Sequence, residues 1–416
     1  MARREHTQHN QIDKRKHASA SAGRREKPTE AGRRNDHARA ERTPVAWTAY
    51  GVAARDWALP VAVTVETEAQ LAEVLKHDAV ALVYLDEACF TDFAALIRRV
   101  HAAGKQAGLR LRRIERDFDA NGRKAENSAE LLNGLWKAAC DAQTTGVPER
   151  SAEEREAQSV SSADRGSAAA AEAGSQMSAS GKQPPSCLPD ALLVRNLDEA
   201  MLLEDFFGAH PELGARIRRN FDYTVYGYNQ EAIQALVSLG ADGLTYPIEL
   251  TYHECRKLRS SVRGAAGTRG TNADAVEGER APVPAAARAG ADAEADSIGL
   301  GELPFELMIY GHLPMMVSAN CIQRTSARCD HGNRILQLRD RMGKDMPVRC
   351  YCTYCYNQIF NAEPLVLYDL PDEVRALQPQ CLRYDFSVEP AAVVRQVLEG
   401  AVPRSMTRGH FRHGIE

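Results

Sequence analysis

The sequence predicts a (β/α) barrel of the TIM type, complete or partial, with disordered insertions and a C-terminal, cysteine-rich, metal-binding extension. Three observations lead to this fold class. About seven short β-type runs alternate with amphipathic stretches, no glycine-rich phosphate loop follows the first run, and five of the ten cysteines lie within 321–355. Strands and helices that alternate at this spacing are typical of βαβ units in a parallel sheet. The lack of a phosphate loop argues against a dinucleotide-binding fold.

The predicted strands are short apolar runs between turn signals, and they occupy 59–65, 79–85, 107–114, 191–197, 222–229, 242–247 and 306–311. The predicted helices occupy 68–77, 93–104, 132–142 and 230–240, and the last of them ends at Gly240, a natural helix stop. In such a barrel the working residues lie at the C-terminal ends of the strands. The polar residues at these predicted ends are Asp86, Arg195, Asn196, Asn229 and Glu249, and the loop after Tyr310 leads into the cysteines.

Composition divides the chain into folded and unfolded segments. Residues 1–45 form a basic tail nearly without large apolar side chains, and 146–187 and 260–298 are rich in small and polar residues. Segments of this kind bury too little apolar surface to fold, so we expect all three to be disordered. The rest of 46–320 is the predicted barrel domain, and 321–416 is the predicted cysteine-rich, cluster-binding and C-terminal region.

The overall charge and hydropathy limit the location and the partners of the protein. A net charge of −4 and a pI near 6.3 give no general basic field, so RNA binding requires a local patch such as the tail. No apolar run reaches the ~18 residues of a membrane-spanning helix. The first residues also lack the apolar stretch of a secretory signal. We therefore expect a cytoplasmic protein without a membrane contact, in a compartment where disulfides are rare.

The clustered cysteines have a spacing that is typical of metal ligands. Seven residues separate Cys321 from Cys329, twenty-two more lead to Cys352, and Cys352 and Cys355 form a C-x-x-C pair with Cys350 close by. A C-x-x-C pair can bind one metal from the same side. Four thiolates serve either a structural zinc or an iron–sulfur cluster, and spacing alone does not separate the two.

The segment between the two groups of cysteines, 334–348, alternates like a β-hairpin that presents the second group. Buried free cysteine is the competing interpretation. It suits the cysteines that are scattered singly, which are Cys89, Cys140, Cys187, Cys255 and Cys381. It suits the cluster poorly, because Arg324, Arg328, Asp330 and Arg349 make that neighbourhood polar.

Several motifs together resemble the collagenase-like U32 peptidase family, in particular the C-terminal module of its long members. They are LLVRNLDE (192–199), YGYNQEAI (226–233), LTYPIEL (244–250), ELMIYGHLPMMVSANCIQ (306–323), LRDR (338–341), MPVRCYCTYCYNQIFNAEPLVL (346–367) and TRGHFRHG (407–414). The first module of the long members has no counterpart in this chain. The sequence also departs from the short-form signature, because Tyr310 stands where that signature has His, and Leu313 and Pro314 replace its Ala and the neighbouring residue.

The resemblance implies a cofactor and two activities. The family carries the label of protease, yet several members support hydroxylation of tRNA or ribosomal RNA bases or of a quinone precursor. Some of them bind a 4Fe–4S cluster through four cysteines. Carried over to this chain, the ligands are Cys321, Cys329, Cys352 and Cys355, with Cys350 as the spare. The alternative cofactor is a structural zinc.

From these observations we expect an iron–sulfur-dependent protein that acts in hydroxylation of RNA bases. The predicted substrate-binding residues are Arg195, Asn196, Tyr228, Asn229, Glu249 and His312. The competing interpretation of these residues is structural, as caps or starts of the next helix. The alternative functions are a collagenase-like protease, for which the chain offers neither a Gly-x-Ser-x-Gly nor a His-Glu-x-x-His motif, and an accessory subunit of a family member that carries the first module.

Overall fold

In the computed structural model, residues 46–145, 186–267, 300–325 and 329–414 are described, without the side chains of 142–145 and 264–267. Eight parallel strands close into a barrel in chain order, because the eighth pairs with both the seventh and the first. After a short outer strand β1 (Trp47–Tyr50), the barrel strands are β2 (Val61–Val65), β3 (Val80–Asp86), β4 (Gln106–Arg110), β5 (Ala191–Val194), β6 (Arg218–Phe221), β7 (Gly243–Thr245), β8 (Phe305–Gly311) and β14 (Cys381–Asp385). The predicted TIM-type barrel is confirmed in its complete form.

A helix follows almost every barrel strand and packs on its outer side. The helices in the part of the chain that the structure describes are α1 (Glu68–Val74), α2 (Phe93–Ala102), α3 (Ser128–Thr145), α4 (Leu197–Ala209), α5 (Pro211–Gly214), α6 (Gln230–Ser238), α7 (Tyr252–Gly267), α8 (Ile322–Thr325), α9 (Pro371–Ala376) and α10 (Ala391–Leu398). Helix α1 shows why these segments begin where they do. The Thr67 hydroxyl accepts from the Gln70 amide at 3.2 Å, and the Gln70 side chain accepts from the Thr67 amide at 3.0 Å, which is a capping box.

A four-stranded antiparallel sheet, which we call the inserted sheet, lies between β8 and β14 in the chain. Its strands are β9 (Pro314–Ser318), β10 (Ile335–Arg339), β11 (Asp345–Tyr351) and β12 (Tyr356–Phe360), and two short strands, β13 (Leu365–Val366) and β15 (Ala401–Pro403), lie outside it. The order across the sheet is β10, β11, β12, β9. The predicted hairpin is confirmed, since Ile335 pairs with Arg349 and Arg339 with Asp345.

The domain boundary predicted at residue 320 does not coincide with the end of the barrel. Strand β14 pairs in parallel with both β2 and β8, and α10 follows it. The inserted sheet is therefore an insertion at the C-terminal end of β8, and it belongs with the barrel to one compact unit, Val45–Glu416.

The predicted disordered segments fall mostly outside the described residues, at 1–45, 146–185 and 268–299. Where the second insertion was predicted to begin, at 260, the structure instead continues helix α7 to Gly267. The prediction is wrong there because Cys255, Leu258 and Val262 recur at helical spacing and are all buried.

The prediction of a strand over 222–229 is also wrong. The strand ends at Phe221, and the Asp222 carboxylate then accepts from the Tyr223 amide at 2.9 Å, which begins a single 3-10 turn over Tyr223–Val225. Tyr226 closes the turn with a φ of 61°. An aspartate that bonds to the local backbone favours a turn over a strand.

Side chains alternate between two environments along each barrel strand. On β2, Val61, Val63 and Val65 point outward into the main core between the sheet and the helices, whereas Ala62 and Thr64 point inward. The inward apolar residues form a small cluster in the N-terminal half of the barrel, made of Ala62, Leu82, Tyr84, Ala191 and Leu193. The C-terminal half of the interior is filled by charged residues instead.

Among the described helices, none is long and apolar enough to cross a membrane.

Candidate active site at the barrel mouth

Charged residues stand at the C-terminal ends of six barrel strands, either on the last residue or one position beyond it. They are Glu66, Asp86, Arg110, Arg195, Asp222 and Asp385. All six are buried. Since the C-terminal ends of parallel strands meet at one face, these side chains converge at the mouth where TIM-type barrels carry their active sites.

The side chains at the mouth form one continuous ion-pair network. Arg110 lies 3.4 Å from both Glu66 and Asp86, measured from its Nη1 and Nε respectively. Arg195 continues the chain, with its Nη1 3.6 Å from Asp86 Oδ2 and its Nε 3.9 Å from Asp222 Oδ2. Buried networks of this kind contribute little net stability, so their presence favours a functional role.

Arg383 anchors the inner end of this network. Its guanidinium is fully buried and contacts Asp222 at 2.7 Å, Asp385 at 2.7 Å and Glu306 at 2.5 Å. Thr64 donates a further hydrogen bond to Asp385 at 3.0 Å, and Asp222 also lies 3.9 Å from Arg195. Arg383 is thus the common partner of three carboxylates at the inner end of the network.

Two carboxyl groups in the network have pKa values shifted in opposite directions. Burial raises the pKa of Glu66 well above its ordinary value, against the attraction of Arg349 and Arg110. Burial also opposes ionisation of Asp222, yet Arg383 and Arg195 hold the pKa of this carboxyl below its ordinary value. A proton-accepting and a permanently ionised carboxylate in one site is the arrangement that acid–base chemistry requires.

The inserted sheet covers the mouth by contacts from strand β11. Arg349 Nη2 donates to the main-chain oxygen of Glu66 at 2.7 Å, and the Tyr351 hydroxyl lies 3.1 and 3.2 Å from the two Glu66 carboxylate oxygens. Tyr351 stacks on Tyr356 at 4.8 Å between ring centres. Beside them the Arg112 guanidinium lies over the Tyr354 ring, 4.6 Å from its centre.

The opposite face of β11 carries cysteines. Because side chains alternate along a strand, Cys350 points away from the barrel face of Arg349 and Tyr351, and Cys352 follows directly after the end of β11. Burial raises the pKa of Cys350, and the neighbouring Cys321 and Cys329 add to the effect. Burial raises the pKa of Cys352 to about 12, with contributions from the four other clustered cysteines. The other four clustered thiols are therefore near enough to Cys352 to affect its ionisation, and the predicted spare, Cys350, is among them.

Cys352 is the most firmly held of these cysteines. Its amide donates to Asn333 Oδ1 at 2.7 Å, its sulfur lies 3.1 Å from the Gly332 oxygen, and Gln323 Nε2 approaches the sulfur at 3.8 Å. Within the four described ranges, no group of three or more His, Cys, Asp or Glu side chains is arranged to hold a single metal ion. No disulfide joins the cysteines of these ranges either.

The predicted substrate-binding residues occupy different surroundings. Arg195 is part of the network at the mouth. Asn196 and Asn229 are the N-caps of α4 and α6, where their side chains accept from the amides of Glu199 and Ala232, each at 2.8 Å. For these two residues the structural interpretation accounts for the side-chain contacts.

The other three predicted residues form two separate contacts. The Tyr228 hydroxyl donates to a Glu249 carboxylate oxygen, and burial together with this bond raises the pKa of Tyr228. His312 Nδ1 lies 2.7 Å from the Asn361 oxygen, and its Nε2 lies 3.8 Å from Glu389 Oε1. The structure thus pairs Tyr228 with Glu249 and His312 with Asn361 and Glu389, and these contacts involve no member of the ion-pair network at the mouth.

Sequence reasoning missed most of the network, namely Glu66, Arg110, Asp222, Glu306, Arg383 and Asp385. Their signal was the alternation of polar and apolar residues along each strand, as in Ala62, Thr64 and Glu66. The same two-residue alternation would place Arg383 and Asp385 on one side of the segment CLRYD, but this segment was not predicted to be a strand.

Comparison with known proteins finds one weak structural similarity that we describe here. No protein-family model matches the chain, and no curated protein matches it. Among solved structures, the spore cortex-lytic enzyme SleL of Bacillus cereus is similar with a TM-score of 0.32 and 6% sequence identity. The match covers 84% of this chain and 76% of that chain. A likeness of this size carries no conclusion about function.

Proposed function

We propose that this chain is a cytoplasmic protein of the U32 peptidase type that works with a 4Fe–4S cluster in the hydroxylation of RNA bases. The observation that carries the proposal is the double role of strand β11. One of its faces holds Cys350, which belongs to the clustered thiols together with Cys352 just beyond the strand, and the other places Arg349 and Tyr351 on Glu66 in the barrel mouth. A thiol cluster and the charged barrel mouth thus meet at a single strand.

The donor set fits an iron–sulfur cluster by its chemistry. In this proposal Cys321, Cys329, Cys352 and Cys355 hold the cluster through their thiolates, and Asn333 and Gln323 orient Cys352 by hydrogen bonds. A structural zinc ion bound by the same four sulfurs is the alternative. When bound, the cluster supplies one-electron transfer.

The barrel mouth supplies charge and proton transfer in this proposal. Arg195 and Arg110 offer guanidinium groups to an anionic substrate such as an RNA phosphate. Glu66, whose burial raises its pKa, accepts or donates a proton at its carboxylate, and the Tyr351 hydroxyl bonded to both carboxylate oxygens orients it. Tyr228 and the exposed Tyr226 beside it, with ring centres 5.6 Å apart, offer a surface on which a base can stack.

Anaerobic purification followed by absorbance spectroscopy and iron and sulfide analysis tests the cofactor. We expect a brown protein with about four irons and four sulfides per chain. A colourless protein with one zinc per chain would exclude the redox function and leave a structural metal site.

Nucleoside mass spectrometry of tRNA and ribosomal RNA from a deletion strain tests the activity. We expect one hydroxylated nucleoside to disappear and to return when the intact gene is supplied. An unchanged nucleoside profile, together with cleavage of collagen or casein by the pure protein, would replace the proposal by the protease alternative. Activity that requires a separately encoded first module would identify the chain as the accessory subunit of such a partner.

A further inference from the structure

A second cavity opens at the N-terminal end of the barrel, opposite the inserted sheet. It has a volume of about 800 Å³, which is within the size range of small-molecule sites. Its lining includes the first residues of seven barrel strands, which are Val80, Gln106, Ala191, Arg218, Gly243, Phe305 and Cys381. The C-terminal mouth is therefore on the other side of the charged network.

The cavity exists because the lowest layer of the barrel interior is made of small residues. Ala191, Gly243 and Cys381 line it, at positions where barrels of this type usually carry branched side chains that fill the interior. Gly108 lets the Tyr84 ring lie across the barrel, since a Cβ at this position would be 2.4 Å from Tyr84 Cδ1. The ring of Tyr84 thus forms the inner wall of the cavity.

Two polar atoms at the inner end of the cavity have no hydrogen-bond partner within the described residues. Glu306 receives all its hydrogen bonds on Oε1, from Arg383, Thr245 and Asn220, so that Oε2 is left open. The Tyr84 hydroxyl makes no hydrogen bond to the described chain. Both residues line the cavity, so these two atoms are available to bond to a ligand there.

The charge at the inner end favours a cationic donor. Arg383 is the cation that contacts Glu306, and it also contacts Asp222 and Asp385. Arg195 also lies 3.9 Å from Asp222, whereas Arg383 is the cation that Glu306 contacts among the described residues. Burial disfavours the ionised form of Glu306 and raises its pKa. An ammonium group beside Glu306 compensates its charge and donates to both open oxygens.

The outer end of the cavity favours an anion. The exposed Arg218 donates to Gln106 Oε1 at 2.8 Å, and no described carboxylate lies within ion-pair distance of it. The adjacent Arg219, by contrast, is committed to Asp242 at 3.2 Å. Arg218 and Asn220 point to the same side of β6, about 7 Å apart along the strand, and Asn220 contacts Glu306. This spacing sets the distance between the two ends of the ligand.

We propose that this cavity binds a small linear zwitterion, an amino carboxylate whose ammonium group donates to Glu306 and Tyr84 and whose carboxylate contacts Arg218. Leu82, Ala191 and Pro304 provide the apolar wall for the methylene chain between the charged groups. The site is independent of the cysteines and of the proposed hydroxylation. It places a binding function at the end of the barrel that usually serves stability alone.

Isothermal titration of the full chain with glycine, 4-aminobutanoate, 5-aminopentanoate and 6-aminohexanoate tests the proposal, with pentylamine and pentanoate as single-charge controls. We expect the longer zwitterions to bind, and each single-charge analogue to bind at least tenfold more weakly. Cooperative unfolding of the same sample shows that the chain is folded. If the folded chain then gives no heat with any zwitterion, or binds pentylamine as tightly as the zwitterions, the proposal is overturned.

Three variants test the named contacts. Tyr84→Phe removes only the hydroxyl, Arg218→Gln removes the outer cation, and Ala191→Leu fills the cavity. We expect each to weaken binding at least tenfold, while Arg216→Gln, an exposed arginine outside the cavity lining, leaves it unchanged. Circular dichroism and thermal unfolding identify any variant that fails to fold. Binding that is the same in all four variants would overturn the proposed site.

Discussion

Arg349 of the inserted sheet and Glu66 at the end of β2 form a buried contact across 283 positions of sequence. Arg349 Nη2 donates to the Glu66 main-chain oxygen at 2.7 Å, and Arg349 Nε lies 3.1 Å from Glu66 Oε2. Arg349 is followed in the chain by a clustered cysteine, and Glu66 pairs with Arg110 of the barrel network. This contact therefore joins the two parts of the candidate active site.

Replacement of Arg349 by Met should destabilise the protein strongly. The change leaves the Glu66 carboxylate buried with only part of its compensating charge, and breaking a buried ion pair typically costs about 3–5 kcal/mol. Urea unfolding measures the loss. The matched control is Arg339→Gln in the same sheet, whose exposed pair with Asp345 should contribute nothing measurable. Equal effects of the two changes would show that the Arg349 contact does not hold the sheet in place.

Stability should fall as the pH rises from about 5 to 8, in part through Glu87. Burial raises the pKa of Glu87 from 4.5 to about 7, against the attraction of Arg112, whose Nε lies 3.0 Å from Glu87 Oε1. The folded chain therefore binds this proton more tightly than the unfolded chain does. Its contribution, at most roughly 3 kcal/mol, is complete below the unfolded pKa and is lost as the pH rises through the folded one.

Glu87→Gln tests this pH dependence. The amide still accepts from Ser128, which donates to Glu87 at 3.0 Å, but it does not titrate. Urea midpoints measured at pH 5.5 and 8 should differ less in the variant than in the natural protein. A difference that is the same in both proteins would assign the pH dependence to other groups.

Gly311→Ala should destabilise the barrel at the point where the inserted sheet begins. Gly311 has a φ of 154°, and a Cβ there would lie 2.9 Å from the Cβ and the carbonyl oxygen of Asp385. Strained backbone of this kind costs on the order of 1–3 kcal/mol, and the close contacts add to it.

Gly134→Ala is the matched control for Gly311→Ala. Gly134 is exposed inside α3 and has open space around it, so the same change should stabilise the protein by up to about 1 kcal/mol. Thermal unfolding of both variants measures the change in stability, which should be a loss for Gly311→Ala and a gain for Gly134→Ala. A neutral Gly311→Ala variant would mean that the junction between β8 and the sheet relaxes freely.

Asn229 separates a capping role from a substrate role. Asn229→Ala removes the acceptor for the Ala232 amide and should cost ~1 kcal/mol, whereas Asn229→Asp keeps the cap and the stability. If Asn229 only caps α6, Asn229→Asp should also restore the hydroxylated nucleoside in a deletion strain. A stable Asn229→Asp protein that fails to restore it would establish a contact with substrate.

The choice of metal ligands is tested by cysteine replacement. We expect Cys352→Ser to abolish iron binding and Cys350→Ser to retain it, with Cys140→Ser in α3 as the control outside the cluster. Iron and sulfide per chain after anaerobic purification are the measurements. Because Cys350 and Cys352 have neighbours in common within the cluster, equal loss of iron in both variants would make Cys350 a ligand.

The alternation of strands and helices could be predicted from the sequence. So could the position of the cysteine hairpin after the C-terminal end of β8. Strands such as β3 and β8 carry long apolar runs because both of their faces are buried, and α2 and α6 have apolar residues at helical spacing. The hairpin of β10 and β11 was equally readable, since its alternation follows the pleat of a strand.

The last barrel strand was not readable in the same way. Strand β14 has the sequence CLRYD, in which Arg383 and Asp385 point into the barrel. A strand with charges at alternate positions is typical of a surface, and only the closed ring shows that these charges are buried among partners from other strands. Asp222 was missed for a related reason, because the strand before it was assigned four residues too late.

By itself, the sequence determined that the chain forms alternating strands and helices and that a cysteine-rich hairpin follows the strand at 306–311, because these properties depend on local periodicity and spacing. Only the tertiary structure decided that the ring closes through β14, that Arg349 contacts Glu66, and that one charged network fills the C-terminal half of the barrel. Each of these depends on residues far apart in the chain. Their energies come from burial and from charge pairing, which no local pattern encodes.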